Sequence, residues 1–390
     1  MTTYEHRTKV KNKNDLLHGK LDELMGGLLK TRGVKQVLAA IESGDGSFQW
    51  SRLGSSAKPD ELQSGVDQPF WIASVTKLFI AASILKLEEK KLLSIDNPVN
   101  EYLAQELVEG LHCTKSGVDN TSRITLRHLL SHTSGLPDYI EIKPKGGKSL
   151  FEMVLEEGDR SWSVMDSMQI VKEAKSPLFD PQPFEKQVKK ARYSDTNFQL
   201  LIAVIEEVTG KPIATVFKDM FYKPLNLRKT FHPGATPLDS ATPGPIPVWI
   251  GNQLLDKPLA MKSFGDLSST AADLFTFMRA LNSGTVFDNP ETANLMKEKW
   301  NRFGFLISPI APGWPIEYGL GMMRFELPRF ASPFKTVPAV IGHTGASGAW
   351  LFYCPANDIY LAGTVSQVEA AAAPFRFIPK VLKLFTNTLG

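Results

Sequence analysis

Between Leu78 and Leu87 the chain reads Leu-Phe-Ile-Ala-Ala-Ser-Ile-Leu-Lys-Leu, apolar on every side of a helical projection. A helix of that kind has no face to give to solvent, so it must run through an interior with other elements packed around it. Whatever stands at its head is therefore held at the edge of a core. The head reads Phe70-Trp71-Ile72-Ala73-Ser74-Val75-Thr76-Lys77. Ser74 and Lys77 are three apart and so are neighbours on one helical face. A serine hydroxyl is a poor nucleophile until a base takes its proton, and a desolvated lysine can be that base. A helix N-terminus also favours developing negative charge. The plain alternative is that Ser74 simply caps the helix.

Ser-x-x-Lys occurs four times, at Ser55, Ser74, Ser83 and Ser332, so context has to choose. Ser55 falls in the polar run Gly54-Ser55-Ser56-Ala57-Lys58-Pro59, which reads as a loop. Ser83 lies inside the apolar helix, where its hydroxyl is expected to bond back to the preceding turn. Ser332 is followed by Pro333, which argues against a helix running on to Lys335. Ser74 is the one placed for chemistry.

At 390 residues the chain exceeds the usual size of a single core, so two lobes are expected. A net charge of +3 gives no footing for nucleic acid, and no apolar stretch is long enough to span a bilayer. His6, Arg7, Lys9, Lys11 and Lys13 read as a solvated tail over residues 1–20, ahead of a catalytic domain over 21–390. The N-terminus lacks the apolar core and cleavage site of a secretory signal, which points to the cytoplasm. Two cysteines, Cys113 and Cys354, are too few for a disulfide framework or a zinc site, and Cys354 sits in an apolar, core-like run. With no His-Glu-x-x-His and no clustered ligands, neither a metal nor another cofactor is expected.

Residues 14–31 carry Leu16, Leu17, Leu21, Leu24, Leu28 and Leu29 in the pattern of an amphipathic helix. Two strand-like runs, Gln36–Glu42 and Phe48–Leu53, flank Ser43-Gly44-Asp45-Gly46, a hairpin signal. The middle is helical and loop-rich. Leu126–Ser131 stops ahead of Pro137, Phe198–Thr209 is closed by Gly210, and residues 233–247 form a Pro/Gly-rich loop. A helix resumes after Thr270, with Asp273 three residues on. A second hairpin joins Gly348–Cys354 to Ile359–Ser366 through Pro355-Ala356-Asn357-Asp358, and a helix over about 373–387 closes the chain. The economical arrangement is an α+β fold: an antiparallel sheet built from both chain ends, flanked by helices, with a helical insertion.

Two further phrases carry chemistry. Ala191-Arg192-Tyr193-Ser194-Asp195-Thr196-Asn197 precedes an apolar helix, and its last four residues are all good N-cap types. Read functionally, Tyr193 is an acid/base group whose ionisation a neighbouring ammonium would ease. Ile341-Gly342-His343-Thr344-Gly345-Ala346-Ser347-Gly348 leads into the last hairpin, its glycines permitting close approach of a ligand. Read plainly it is a strand with a Gly-rich bend, and His343 is a surface histidine.

The three phrases in this order, Ser-x-x-Lys, Tyr-Ser-Asp and His-Thr-Gly, resemble the serine β-lactamase-like family, which includes class C β-lactamases, D-alanyl-D-alanine peptidases and family VIII carboxylesterases. The likeness extends to Ile124–Tyr139, Leu267–Asp273 and Tyr318–Gly321, and runs from about residue 20 onward. It implies a β-lactamase-like fold, with an α/β lobe over about 21–84 and 266–390 and a helical lobe over about 85–265. It also implies an acyl-enzyme on Ser74, with Lys77 and Tyr193 sharing proton transfer. The oxyanion hole would be the backbone N–H groups of Ser74 and Ala346, and Asp195, His343, Thr344 and Gly345 would contact substrate.

Two departures bear on the substrate. Many members carry Asn where this chain has Asp195, and a carboxylate accepts hydrogen bonds but cannot donate. Asp195 therefore suits a donor-bearing substrate, or it holds Lys77. His343 in place of Lys removes a permanent charge that would recognise a carboxylate. The charged stretch before Tyr193, with Lys186, Lys189 and Lys190, is expected to form one cleft wall. Trp249, Trp314, Tyr318 and Trp350 are candidate cleft aromatics. The expected function is that of a carboxylesterase acting on small or medium esters, its partner a small-molecule ester or amide. The alternatives are a D-amino-acid amide or peptide hydrolase, a β-lactamase, an acyltransferase of the same fold, and a non-catalytic binding protein.

Overall fold

The turn signals at the two ends of the chain form hairpins for the reasons their residues suggest. In the first, the Asp45 carboxylate accepts from Ser43 Oγ and from the Ser47 N–H, while Gly46 takes a left-handed φ of 72°. In the last, Asp358 turns the chain with φ 50° and accepts from the Tyr353 hydroxyl. The computed structural model describes residues 3–56, 65–186, 190–303, 316–327 and 337–389, with side chains from residue 13 to residue 387. Trp314, Lys58, Lys189, and Ser332 with Lys335, lie outside the described residues.

In chain order the strands are β1 (Gln36–Ser43), β2 (Gln49–Ser55), β3 (Phe70–Trp71), β4 (Trp249–Ile250), β5 (Gln253–Leu254), β6 (Ser268–Ser269), β7 (Asn301–Arg302), β8 (Glu317–Tyr318), β9 (Met323–Phe325), β10 (Val340–Thr344), β11 (Ala349–Cys354) and β12 (Ile359–Thr364). Eight of them form one sheet in the order β2-β1-β12-β11-β10-β9-β8-β7, antiparallel throughout. The sheet is thus built from both chain ends, with Leu38 opposite Thr364.

Helices cover both faces, which is why β1 and β12 are buried along most of their length instead of alternating. On one face lie the N-terminal helix Thr3–Leu29 and the C-terminal helix Ala373–Leu389, where Phe48 meets Phe385 at 5.1 Å and Trp350 meets Phe377 at 5.8 Å. On the other lie the helix Lys77–Glu89 and the helix Ala271–Ser283, where Phe79 and Phe277 stack at 3.6 Å. Lys77–Glu89 is buried at ten of its positions, as an all-apolar helix requires.

Several boundaries differ from expectation. Ser55 belongs to β2, paired with Gln36, and is not in a loop; Gly54 before it is small because Leu29 packs against its α-carbon. The first helix starts at Thr3, where a solvated tail was expected, and its buried stripe is Leu17, Leu21, Met25 and Leu28, leaving Leu16 exposed. The helix expected from Phe198 begins at Asp195.

Candidate active site

Ser74 is positioned by a short run of pairings. Phe70 and Trp71 pair with Ser269 and Ser268, and the Ile72 N–H donates to the Leu267 carbonyl at 2.9 Å. The chain then turns through Ala73, whose φ of 45° is unusual for a residue with a Cβ and costs on the order of 1–3 kcal/mol. One 3-10 turn, Ala73–Thr76, runs straight into the buried helix. The Thr76 hydroxyl accepts from the Leu267 N–H at 3.0 Å, which fixes the turn from its other side.

Ser74 does not cap that helix. Its Oγ accepts from Lys77 Nζ at 3.0 Å and from the Tyr193 hydroxyl at 2.7 Å. Lys77 is 4% exposed and forms an ion pair with Asp195 Oδ1 at 2.5 Å. The same oxygen lies 3.4 Å from the Tyr193 hydroxyl. Lys77 Nζ also sits 5.1 Å from the Tyr193 ring and 5.2 Å from the Phe198 ring, within cation–π range. Lys77 and Tyr193 thus meet at one hydroxyl, with the Asp195 carboxylate behind both.

Of the cap-type residues 194–197, none caps the helix through its side chain. Ser194 occupies the N-cap position, but its hydroxyl donates to the Pro137 carbonyl. The Asp195 N–H donates to Asp138 Oδ2 at 2.9 Å, Thr196 Oγ1 donates to the Pro137 carbonyl, and Asn197 bonds His132 Nδ1 and Ser134 Oγ. These side chains tie the helix Asp195–Thr209 to the segment 132–139, and so lock Tyr193 and Asp195 over Ser74.

The electrostatics overturn the expectation that Lys77 eases ionisation of Tyr193. Burial pulls the Lys77 amine down, but the Asp195 and Asp266 carboxylates outweigh it and hold Lys77 above its ordinary value, as an ammonium. Burial pushes Tyr193 well above 10, and the Asp195 charge adds to it. The positive charge that would favour phenolate is spent on Asp195. Asp138 is raised well above the usual carboxylate range by burial and by Asp195. Asp266 is raised by burial to about 7, with Lys77 pulling it down and Asp195 pushing it up.

His343 is not a surface histidine. It is 1% exposed, on β10 opposite Leu351. Its Nδ1 lies 2.6 Å from the Thr344 carbonyl, so Nδ1 carries the proton and Nε2 accepts from the Tyr318 hydroxyl at 2.9 Å. Burial lowers it to about 3, with the Lys77 charge adding, so it is neutral. Both ring nitrogens are engaged, and the ring lies 6.3 Å from that of Tyr193. His132, with φ 56°, packs against the Tyr193 and Tyr318 rings and is likewise kept neutral by burial.

Gly345 makes a close approach within the chain itself. A Cβ there would lie 2.4 Å from the Ile72 carbonyl, so the glycine lets the end of β10 close against the backbone of the Ser74 turn. The Ser347 hydroxyl ties the same bend to the Trp71 carbonyl at 2.7 Å. Thr344 is half-buried and Ala346 exposed. Of the candidate cleft aromatics, Trp350 and Tyr318 are fully buried, Trp350 on the sheet face away from Ser74. Trp249 is half-exposed beneath Lys35. The aromatic cluster that does flank the Ser74 turn is Trp71, Phe264 and Trp162, with ring separations of 6.4 and 4.9 Å. Lys186 and Lys190 hold Gln182, whose N–H donates to the Thr133 carbonyl.

Asp138, Asp266 and His132 were not singled out from the sequence. Asp138 lies in the quoted segment ending at Tyr139, and its cap on the Asp195 N–H is a tertiary contact with no local signal. Gly321 is another such residue: its φ is 68°, and a Cβ there would meet Ala81 at 2.2 Å, which brings the Tyr318–Gly321 stretch against the Ser74 helix.

Comparison with known proteins gives concordant findings. A sequence model described as Beta-lactamase matches residues 21–378. The D-alanyl-D-alanine-carboxypeptidase/endopeptidase AmpH of Escherichia coli (strain K12) is 23% identical over 310 residues, covering 79% of this chain and 71% of that protein. Esterase EstB of Burkholderia gladioli is 27% identical over 183 residues, 45% of this chain and 42% of that one. Among solved structures, the D-amino acid amidase from Ochrobactrum anthropi SV3 complexed with L-phenylalanine amide superposes with a TM-score of 0.72 at 20% identity, over 97% of this chain and all of that chain. At that identity it speaks for the fold. Among the described residues, no helix is long and apolar enough to cross a membrane.

Proposed function

Because the chain belongs to the Beta-lactamase family, we propose that it is a serine hydrolase in which Ser74 attacks the carbonyl carbon of a small or medium carboxylic ester and carries the acyl group on Oγ until water releases it. The observation that carries this reading is Ser74 Oγ held between Lys77 Nζ at 3.0 Å and the Tyr193 hydroxyl at 2.7 Å.

With Lys77 an ammonium, it has no lone pair with which to take the serine proton. As the Oγ–C bond forms, the Tyr193 hydroxyl turns from Ser74 Oγ toward Asp195 Oδ1, 3.4 Å away in the free protein, so that the Ser74 proton passes to the Tyr193 oxygen and Tyr193 releases its own to Asp195. The Lys77 ammonium stays beside Oγ and offsets the charge growing there. The backbone N–H groups of Ser74 and Ala346 receive the carbonyl oxygen, a role supported by the close seating of Gly345 on Ile72 and Ala73. When the tetrahedral intermediate collapses, the bond to the alcohol breaks and the proton returns along the same path to the leaving oxygen. Water then repeats the sequence on the acyl-enzyme. Lys77 and Tyr193 sit in one hydrogen-bonded network, so a titration seen in kinetics belongs to the network.

A second reading, hydrolysis of amides of amine-bearing acids, is supported by the acidity around the nucleophile, where Asp195 pairs with Lys77 at 2.5 Å and the charge of Asp266 also acts on it. The chemistry at Ser74 is the same for both readings.

The test is turnover of p-nitrophenyl butyrate by the wild type and by Ser74→Ala. A loss of at least about a thousandfold is expected, since removing a nucleophile costs more than removing its helpers. Equal rates would remove Ser74 from the mechanism. Absence of turnover in both, with p-nitroanilides of amino acids also inert, would favour a binding protein.

A further inference from the structure

His132 stands in a backbone position that favours glycine. The helix Leu126–Leu130 ends on Ser131 and closes as a Schellman motif. The His132 N–H donates to the Leu129 carbonyl at 3.3 Å, and the Thr133 N–H to the His128 carbonyl at 3.0 Å. The residue that joins these two bonds turns left-handed, and His132 does so with φ 56°. Glycine adopts that turn freely, whereas a side chain with a Cβ costs about 1–2 kcal/mol there. A histidine held in such a turn points to a use for its ring.

The use lies in its bonds. The His132 carbonyl accepts from the Arg192 N–H at 3.0 Å, and its Nδ1 accepts from the Ser194 N–H at 3.3 Å. Tyr193 is the residue between those two N–H groups. Its ring lies 4.6 Å from the His132 ring, tilted by 36°. His132 therefore grips Tyr193 by the backbone on both sides and by the ring, while the Tyr193 hydroxyl reaches Ser74 Oγ at 2.7 Å.

The grip requires one tautomer. Asn197 Oδ1 accepts from Ser134 Oγ at 2.6 Å, which turns the Asn197 amide nitrogen toward His132 Nδ1 at 3.0 Å. Two donors converge on Nδ1, so it presents its lone pair and the ring proton sits on Nε2. The ring is fully buried, with Tyr318, Phe198 and Phe303 around it at 4.6, 5.2 and 5.9 Å. Burial keeps it neutral, and the Lys77 charge adds to that.

We propose that His132 is the positioning residue for Tyr193: through Nδ1, its carbonyl and its ring it aims the Tyr193 hydroxyl at Ser74, and it does so with Nδ1 unprotonated. This rests on the serine-hydrolase reading and deepens it. His132 exchanges no proton in the reaction. It acts through geometry, where a misplacement of about 1 Å can lower the rate by about 10²-fold.

The probe is p-nitrophenyl butyrate, with the variants His132→Gly, His132→Asn and Tyr193→Phe. Glycine suits the left-handed turn but removes the ring and its acceptor. Asparagine also tolerates the turn and keeps an acceptor oxygen close to the place of Nδ1. His132→Gly is expected to lower kcat by about 10²-fold with KM within about threefold. His132→Asn should recover at least about tenfold of that loss. In the Tyr193→Phe background no hydroxyl remains to be aimed, so His132→Gly should change kcat by less than about twofold. The same loss in both backgrounds, no loss in the wild-type background, or an asparagine variant no better than the glycine one would overturn the proposal while leaving Ser74 hydrolysis intact. Turnover that does not depend on Ser74, or none at all, overturns the hydrolase reading and the proposal with it.

Should His132→Gly not fold, the wild type decides through the ring nitrogens of ¹⁵N-histidine-labelled protein. The titratable groups facing His132 are Lys77, His343, Tyr193 and Tyr318. The first stays an ammonium and the other three stay neutral near neutral pH. Nδ1 is expected to be unprotonated and Nε2 protonated, unchanged across about pH 6–9, where a free histidine titrates. A proton on Nδ1, or a titration in that window, refutes the assignment.

Discussion

The buried helix carries the same spacing twice, Ser74 with Lys77 at its head and Ser83 with Lys86 toward its far end, and the two pairs behave differently. Ser83 is fully buried and its hydroxyl donates to the Phe79 carbonyl at 2.9 Å, one turn back. Lys86 turns away to the Val286 carbonyl and borders an open cavity of about 510 Å³ lined by residues such as Val208, Met220 and Phe287. Burial lowers the Lys86 amine, whereas Lys77 is raised by its carboxylates. Inside a helix a serine hydroxyl finds a carbonyl of the preceding turn within reach and is absorbed by it. At the head, Ser74 Oγ meets Lys77 and Tyr193 instead. Spacing makes residues neighbours; the partners around them decide whether they interact.

Four substitutions would break or sharpen that contrast. The largest effect is expected from Lys77→Met, which should lower kcat/KM for p-nitrophenyl butyrate by about 10²–10⁴-fold. Lys86→Met, at the same spacing from its own serine, should leave it within about twofold, as an ordinary substitution away from the chemistry. A comparable loss in both would mean that Lys77 acts through stability alone. Next is Asp195→Asn. The Asp195 carboxylate is the main group holding Lys77 above its ordinary value against burial. Without it the relay loses its proton acceptor and Lys77 gives up its proton at lower pH, so kcat/KM should fall and the alkaline limb of the remaining activity should move down. An unmoved limb would show that another group controls it. The smallest is Ser83→Ala, which removes one helix-internal hydrogen bond and should cost no more than about 1 kcal/mol in denaturant unfolding, with activity kept.

Much of the architecture could be read from local pattern. Gly44-Asp45-Gly46 and Asn357-Asp358 mark both hairpins, the Thr270 hydroxyl does accept from the Asp273 N–H, and Gly210 ends its helix with φ 63°. Strands β7, β8 and β9 are two or three residues long and show no alternation to detect. At the site, Ser74, Lys77 and Tyr193 stand in recognisable phrases and the fold brings them together. What escaped was everything set by a distant partner. The four cap-type residues after Tyr193 are taken up by residues 132–138. His343 is buried by Tyr318 across the sheet.

The pairing of β1 with β12 also governs how the chain can be made. The first hairpin emerges early in synthesis, yet the strand that covers the inner edge of β1 arrives only with the closing part of the chain. Until then an apolar strand, buried on both faces in the finished protein, carries a row of open backbone groups. Such a nascent chain is a substrate for other strands before it finds its own, and contacts this far apart in sequence form slowly. Expression should therefore depend on chaperone supply and on translation temperature more than the finished fold would suggest.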